Sequence, residues 1–205
     1  MNPQALDSAS ITTLDRIVAA ARRCFERVGV RATSMQDIAA EAGLSRQTVY
    51  ETVSKRDRLI ELVIYRRCVE IAAQFAWMAH DVDPVEDAFT EISMATITLS
   101  GHDPELRRLL ETTPNYQAHD LMTGRLNAVD KLNYEIFKPL LDRARACDRL
   151  RDDATDHEIA DWIRGVCMTL MMRQDLAPAE QRSILTRFML ASILKPAAPR
   201  RRIRG

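Results

Sequence analysis

Apolar residues in this 205-residue chain recur at intervals of three and four positions. No segment alternates apolar and polar residues as a half-buried strand would. That periodicity restricts the chain to an all-α fold, and the helix ends can be read from local chemistry. Thr12-Thr13-Leu14-Asp15 has capping-box form ahead of a stripe of Leu14, Ile17, Ala21, Phe25 and Val28, which Gly29 closes. Ser34-Met35-Gln36-Asp37 opens a short second helix with Met35, Ile38 and Ala42 inward, closed by Gly43. Ser45 caps a third, to about Val53. A longer helix follows over about 55–80, burying Leu59, Leu62, Val63, Ile71, Phe75 and Met78. Asp83-Pro84 and Asp103-Pro104 each place a capping acid before a proline suited to the first helical turn. Further helices are expected over about 84–101, 104–112, 116–147, 155–173 and 178–194.

Three short helices joined by tight turns precede six longer ones, which predicts a head over 1–54 and a bundle over 55–195. The last residues, 196–205, are Pro-rich and basic and read as a disordered tail.

The head carries the informative pattern. A capped short helix, a glycine turn and a second short helix form a helix-turn-helix. Gly43 suits a left-handed exit from the 34–42 helix, Leu44 plugs the angle between the two helices, and Ser45 takes up orphan amides. On the second helix only Val49 and Val53 read as buried, so its remaining groups face outward. In a DNA major groove Arg46 could donate twice to guanine, Gln47 could pair with adenine, and the Thr48 methyl could meet a thymine methyl. Tyr50, Lys55 and Arg56 would then hold phosphates. Each residue also has a plain structural reading: a cap, a solvated charge, an aromatic at the core's edge.

The stretch AARRCFERVGVRATSMQDIAAEAGLSRQTVYETVSKRDRL resembles the DNA-binding domain of the TetR (tetracycline-repressor) family. The matching positions are Phe25, Gly29, the Thr33-Ser34 cap, Ile38, Ala39, Ala42-Gly43-Leu44-Ser45, Val49-Tyr50 and Leu59, without a gap over some 45 residues. The chain departs from the family pattern at Thr52, where His, Tyr or Phe is usual, and at Val53, where Phe is common. The resemblance implies a sequence-specific transcriptional regulator, most often a repressor. It implies DNA contacts from Thr33 and Ser34 beside those of the recognition helix, and a homodimer on an inverted-repeat operator of double-stranded DNA. It also implies a dimerisation and effector-binding domain after about residue 60.

In the body, two apolar stripes fall on adjacent helices: Ile159, Trp162, Ile163, Val166 and Leu170, then Ile184, Leu185, Phe188, Ala191 and Ile193. They suit either a four-helix interface between two copies or the chain's own core. Under the resemblance, Ile159, Ile163, Val166, Leu170, Ile184, Phe188 and Ala191 form the dimer contact. Methionines at 78, 94, 122, 168, 171 and 172 suit either a pocket that adapts to an apolar guest or ordinary packing. The expected lining of an effector pocket is Trp77, Phe89, Met94, Met122, Asn127, Tyr134, Phe137, Trp162 and Met168.

Several function classes are disfavoured. Lys and Arg balance Asp and Glu at 29 each, so overall charge names no partner. The chain has no HExxH, Walker loop, GxGxxG or GxSxG, and no Glu-x-x-His pair, which argues against an enzyme. The four histidines and four cysteines show no metal-ligand spacing, so neither a metal nor a cofactor is expected, and reduced thiols are. No run approaches the roughly 18 apolar residues of a membrane span. The opening residues lack the apolar region of a secretory leader, which predicts a cytoplasmic protein with no membrane partner. A DNA-binding protein without an effector remains an alternative.

Overall fold

The computed structural model of the chain describes residues 3–112, 127–173 and 175–196. The described residues are helical apart from turns and one isolated bridge between Leu150 and Leu194, so the fold is all-α. In order the helices are α1 (Pro3–Val28), α2 (Met35–Ala42), α3 (Arg46–Val53), α4 (Arg56–Ala72), α5 (Met78–Asp81) and α6 (Val85–Ala95). After α6 comes a π-helical turn, Thr96–Ser100. Then follow α7 (Pro104–Thr112), α8 (Asn127–Ala146), α9 (Asp156–Met172), α10 (Pro178–Ile184), a second π-helical turn at Leu185–Met189, and α11 (Leu190–Ile193).

Several helix ends follow their local chemistry. Ser34 and Asp37 close a reciprocal capping box on α2, and Thr155 and Glu158 do the same on α9. Each satisfies amides that the first turn would otherwise leave unpaired. Asp103 caps α7, its Oδ1 accepting from the Leu106 amide at 2.7 Å. Pro178 starts α10 as the sequence predicts.

Other ends differ. The first helix begins at Pro3, not at Thr12: proline suits the first helical turn, and Gln4, Ala5 and Leu6 favour helix, so the expected box lies inside α1. Asp15 pairs with Arg66 of α4 instead. Val28, expected inward, is exposed. The expected 55–80 helix ends at Ala72. Tighter bonds from the Gln74 amide to Ile71 O and from the Phe75 amide to Ala72 O (both 3.1 Å) turn the chain there, with Phe75 and Ala79 buried. Asp83 caps nothing and pairs with Arg143, and Pro84 precedes α6 without a side-chain cap.

Packing divides the described residues into two units. The first holds the chain up to Val69 together with α7; the second holds the rest. Ile17, Ala20, Ala21, Cys24, Ile38, Val49, Leu59, Ile60, Val63 and Ile64 are fully buried in the first. In the second the core includes Phe75, Phe89, Ile92, Phe137, Leu140, Leu141, Ile163 and Leu185.

Charged side chains tie elements within each unit. In the first, Arg22 of α1 meets Glu105 of α7 through two 2.7 Å bonds, Nε to Oε1 and Nη2 to Oε2. Arg67 of α4 grips the Asp103 carboxylate, with Nε 3.1 Å from each oxygen. In the second, Arg143 donates to the carbonyls of Ala79 (2.6 Å) and Val82 (2.9 Å). Lys195, the last residue before the tail, is tied to Asp148 and Asp152 at 2.5 and 2.7 Å. The tail beyond residue 196 lies outside the described residues.

Candidate nucleic-acid interface

The head is built to hold α3 at a set angle. The chain leaves α2 through Gly43 at φ 64°, ψ 38°, and the Gly43 and Leu44 amides return to the carbonyls of Ala40 and Ala39 at 3.1 and 2.9 Å. That pairing satisfies the last carbonyls of α2. Arg16 reaches over from α1 to donate to Ala42 O at 2.8 Å. Arg23 and Arg27 of α1 both bind Glu41 of α2, which holds its carboxyl below the usual range. A methyl group at position 43 would stand 3.5 Å from Arg16 Nη2, an ordinary contact. The strain of Gly43→Ala is therefore in the backbone: a left-handed residue bearing Cβ costs about 1–2 kcal/mol. Urea denaturation should show a loss of that size, and an unchanged midpoint would contradict the left-handed turn.

On α3, Val49 and Val53 are buried and the polar residues lie outward. Ser45 accepts from the Thr48 amide at 3.0 Å, and the two hydroxyls lie 2.8 Å apart. Arg46, Gln47, Tyr50, Glu51, Thr52 and Lys55 are exposed, and Thr48 is half-buried. The Arg46 guanidinium lies 5.4 Å from the centre of the Tyr50 ring, a cation–π arrangement that holds two outward side chains together. Gln47 Nε2 donates to Glu51 Oε1 at 2.8 Å one turn along. Thr52, where the family usually has an aromatic or His, spends its hydroxyl on Thr48 O at 2.8 Å.

Three residues expected to contact DNA are occupied in the scaffold. Thr33 is 2% exposed and its hydroxyl donates to Gly29 O at 2.8 Å, so that side chain closes the turn after α1. Arg56 donates to the carbonyls of Val30 and Thr33, bracing the same turn from α4. Ser34 is exposed but committed to Asp37, whose carboxyl it holds below the usual range. Glu51 was not foreseen. An acid on a DNA-reading helix opposes the expected charge, and its i,i+4 spacing from Gln47 is the signal that could have marked it.

The expected effector residues are not gathered into one place. Phe89 and Phe137 stack with ring centres 6.5 Å apart and are fully buried, and Met94 is buried. Tyr134 lies against His157 instead, the rings 3.8 Å apart. Met168 is half-buried. Trp77 and Trp162 are exposed at 53% and 54% and line no interior. Trp77 sits in the turn after α4, and Trp162 Nε1 donates to Ser192 Oγ of α11 at 2.8 Å. Met122 lies outside the described residues, and Asn127 is described only as the first residue of α8.

The expected dimer face also divides. Ile159, Ile163 and Leu170 are buried in the core of their own chain. Val166 and Ile184 are half-buried, Ala191 is exposed, and Phe188 is 61% exposed. Since α9 is apolar around more than half its circumference, its inner and outer rows could not be separated by periodicity.

Cys24, Cys68, Cys147 and Cys167 are unpaired, and burial pushes the Cys68 and Cys167 thiols up to about 12. Among the described residues no cluster of His, Cys, Asp or Glu could hold a metal ion, and no helix is long and apolar enough to cross a membrane.

A braced three-helix head presenting a short polar helix beyond a glycine turn defines a helix-turn-helix DNA-binding regulator. Residues 17–61 match the family described as bacterial regulatory proteins, tetR family, which makes the head a DNA-binding domain of that kind and the chain a DNA-binding transcriptional regulator. An HTH-type transcriptional regulator of Mycobacterium tuberculosis (strain CDC 1551 / Oshkosh) is 24% identical over 189 residues, covering 92% of this chain and 89% of that protein. Among solved structures, RolR in complex with resorcinol superposes with a TM-score of 0.66 at 15% identity, covering 91% of this chain and 90% of that one. SmeT, the repressor of the Stenotrophomonas maltophilia multidrug efflux pump SmeDEF, gives 0.56 at 20% identity, covering 90% and 91%. At these identities the structural likenesses show the fold alone.

Proposed function

We propose that α3 enters the major groove of double-stranded DNA with Arg46, Gln47 and Thr48 at base edges, and with Ser45, Tyr50 and Lys55 toward the phosphates. The observation that carries this is the division of α3: two buried valines hold it to the head, while Arg46, Gln47, Tyr50 and Glu51 stand exposed. Ser34 joins the phosphate contacts at the start of α2, where helix amides favour an anion. Thr33 and Arg56 act indirectly, by holding the turn between α1 and α2.

Two copies of the chain bind an inverted repeat, joined through α9, α10 and α11 by Trp162, Val166, Ile184, Phe188 and Ala191. Exposed apolar side chains on neighbouring helices support that face. A small apolar effector held among residues of the second unit, with Met94, Phe89, Phe137, Tyr134 and Met168 as candidates, releases the operator and makes the protein a repressor. That a protein of this fold holds resorcinol supports an effector of modest size. Release requires only that effector and DNA prefer different populated states, with a coupling of about 1–3 kcal/mol. Acting on chromosomal DNA, the protein works in the cytoplasm.

Selection of bound sequences from a random duplex pool, followed by footprinting, tests the reading. The expected result is paired half-sites about one helical turn, roughly 34–36 Å, apart. A single unpaired half-site at saturation would overturn it. In the same assay Arg46→Ala should cost about 1–3 kcal/mol of discrimination at one base pair per half-site. An unchanged motif would remove Arg46 from base reading.

A further inference from the structure

We propose that Glu51 sets the base preference of the recognition helix by locking the Gln47 amide in one orientation. This inference rests on α3 being the element that meets DNA.

A free glutamine is ambiguous in the major groove. With its oxygen toward the exocyclic amine it reads adenine; rotated by half a turn about its last torsion, it brings its NH2 group there instead and donates to guanine O6 or thymine O4. Here the ambiguity is removed. Gln47 and Glu51 lie one turn apart on α3, both exposed, with Nε2 donating to Glu51 Oε1 at 2.8 Å. An ionised carboxylate can only accept, so the amide must turn its nitrogen to Glu51. The carbonyl oxygen is thereby turned away from Glu51, which leaves it to accept from a base edge on a helix whose N-terminal residues meet the groove.

The lock is independent of the rest of the surface. Arg46 and Tyr50 form their own pair on the adjoining face, and Ser45 and Thr48 are bonded to one another. No other hydrogen bond of the described residues involves the Glu51 carboxylate, which leaves it to Gln47. With the oxygen left to accept, the base opposite Gln47 must supply an exocyclic amine. Adenine N6 and cytosine N4 do; guanine and thymine present an acceptor there and are rejected. The expected half-site therefore has adenine or cytosine, not guanine or thymine, on the strand that Gln47 faces.

The test uses the full-length chain and a random duplex pool. Gln47→Ala identifies the position that Gln47 reads, as the one where the selected motif relaxes. At that position the wild type should favour adenine or cytosine over guanine and thymine by about tenfold or more in dissociation constants measured on matched duplexes. Glu51→Ala should bring the ratio close to one, because the freed amide can rotate, while preferences elsewhere in the half-site stay as they are. Since Glu51 is exposed, its melting temperature should match the wild type. A guanine or thymine preference in the wild type, a Gln47→Ala motif with no relaxed position, or an unchanged ratio in Glu51→Ala would each overturn the proposal. A uniform loss of affinity across all duplexes in Glu51→Ala would also overturn it, since that is the result of a merely structural role. Failure of the wild type to select any motif would instead remove the DNA-reading role of α3, and this proposal with it.

Discussion

Replacing Asp103 with alanine is expected to lower the stability of the protein by about 3 kcal/mol, the lower end of the cost of leaving one partner of a buried ion pair unmatched. The Asp103 side chain is 5% exposed and Arg67 24%. The carboxylate performs two tasks at once, gripping the Arg67 guanidinium of α4 and capping α7 through the Leu106 amide. Removing it leaves a largely desolvated guanidinium whose next acid, Glu105, stands 3.6 Å away and is already shared with Arg22. That second acid is why the lower end applies. For a chain of this length the loss corresponds to about 6–12 °C in melting temperature, taking about 2–4 °C per kcal/mol.

The same pair predicts a pH dependence. Burial raises the Asp103 pKa, but the bonds from Arg67 and from the Leu106 and Glu105 amides outweigh it and hold the carboxyl below its ordinary value. A carboxyl depressed on folding contributes stability above its unfolded pKa, and that contribution is lost as pH falls through the folded value. Melting temperature should therefore fall on acidification below the ordinary carboxylate range. Asp103→Asn should show a smaller fall than the wild type. Equal slopes in the two proteins would show that Asp103 does not contribute.

The second large effect is expected at Phe188. Glutamate there should leave the protein monomeric in sedimentation and weaken operator binding by about 100-fold or more, because two linked heads bind with an effective concentration that a single head lacks. Its exposure means that the fold itself should tolerate the charge. Ile163→Ala supplies the contrast. That side chain is fully buried, so its loss should cost about 2–5 kcal/mol of stability and leave the folded fraction dimeric. If Phe188→Glu remained a dimer while Ile163→Ala dissociated, the inward and outward rows of α9 to α11 would have been assigned to the wrong roles.

The contrast between those two residues shows where sequence reading stops. On α2 one apolar row faces one core, so Met35, Ile38 and Ala42 could be placed from spacing alone, and all three are buried. On α9 apolar residues occupy both sides: Ile159, Ile163, Cys167 and Leu170 face the core, while Trp162 and Val166 lie outside it or at its edge. Period 3.6 locates a row of side chains, but it does not say which of two apolar rows the protein will cover first. Trp162 was expected inward for that reason, and Trp77 because the helix expected to carry it ends at Ala72.

What the sequence determined by itself are the features whose partners lie within about four residues. These include the helical class, the Ser34, Ser45, Thr155 and Asp103 caps, the glycine exit at 43 and the outward polar face of α3. Each depends on short-range hydrogen bonding and backbone sterics that a local stretch carries with it. Only the tertiary structure decided the contacts made across the chain: Arg67 to Asp103 over 36 residues, Arg22 to Glu105 over 83, and Arg56 with Thr33 closing the turn at Gly29. It also decided that α7 packs with the head and that the 55–80 stretch breaks after Ala72. Those outcomes depend on which buried charges and apolar rows find one another once the helices pack, and spacing along the chain carries no record of that choice.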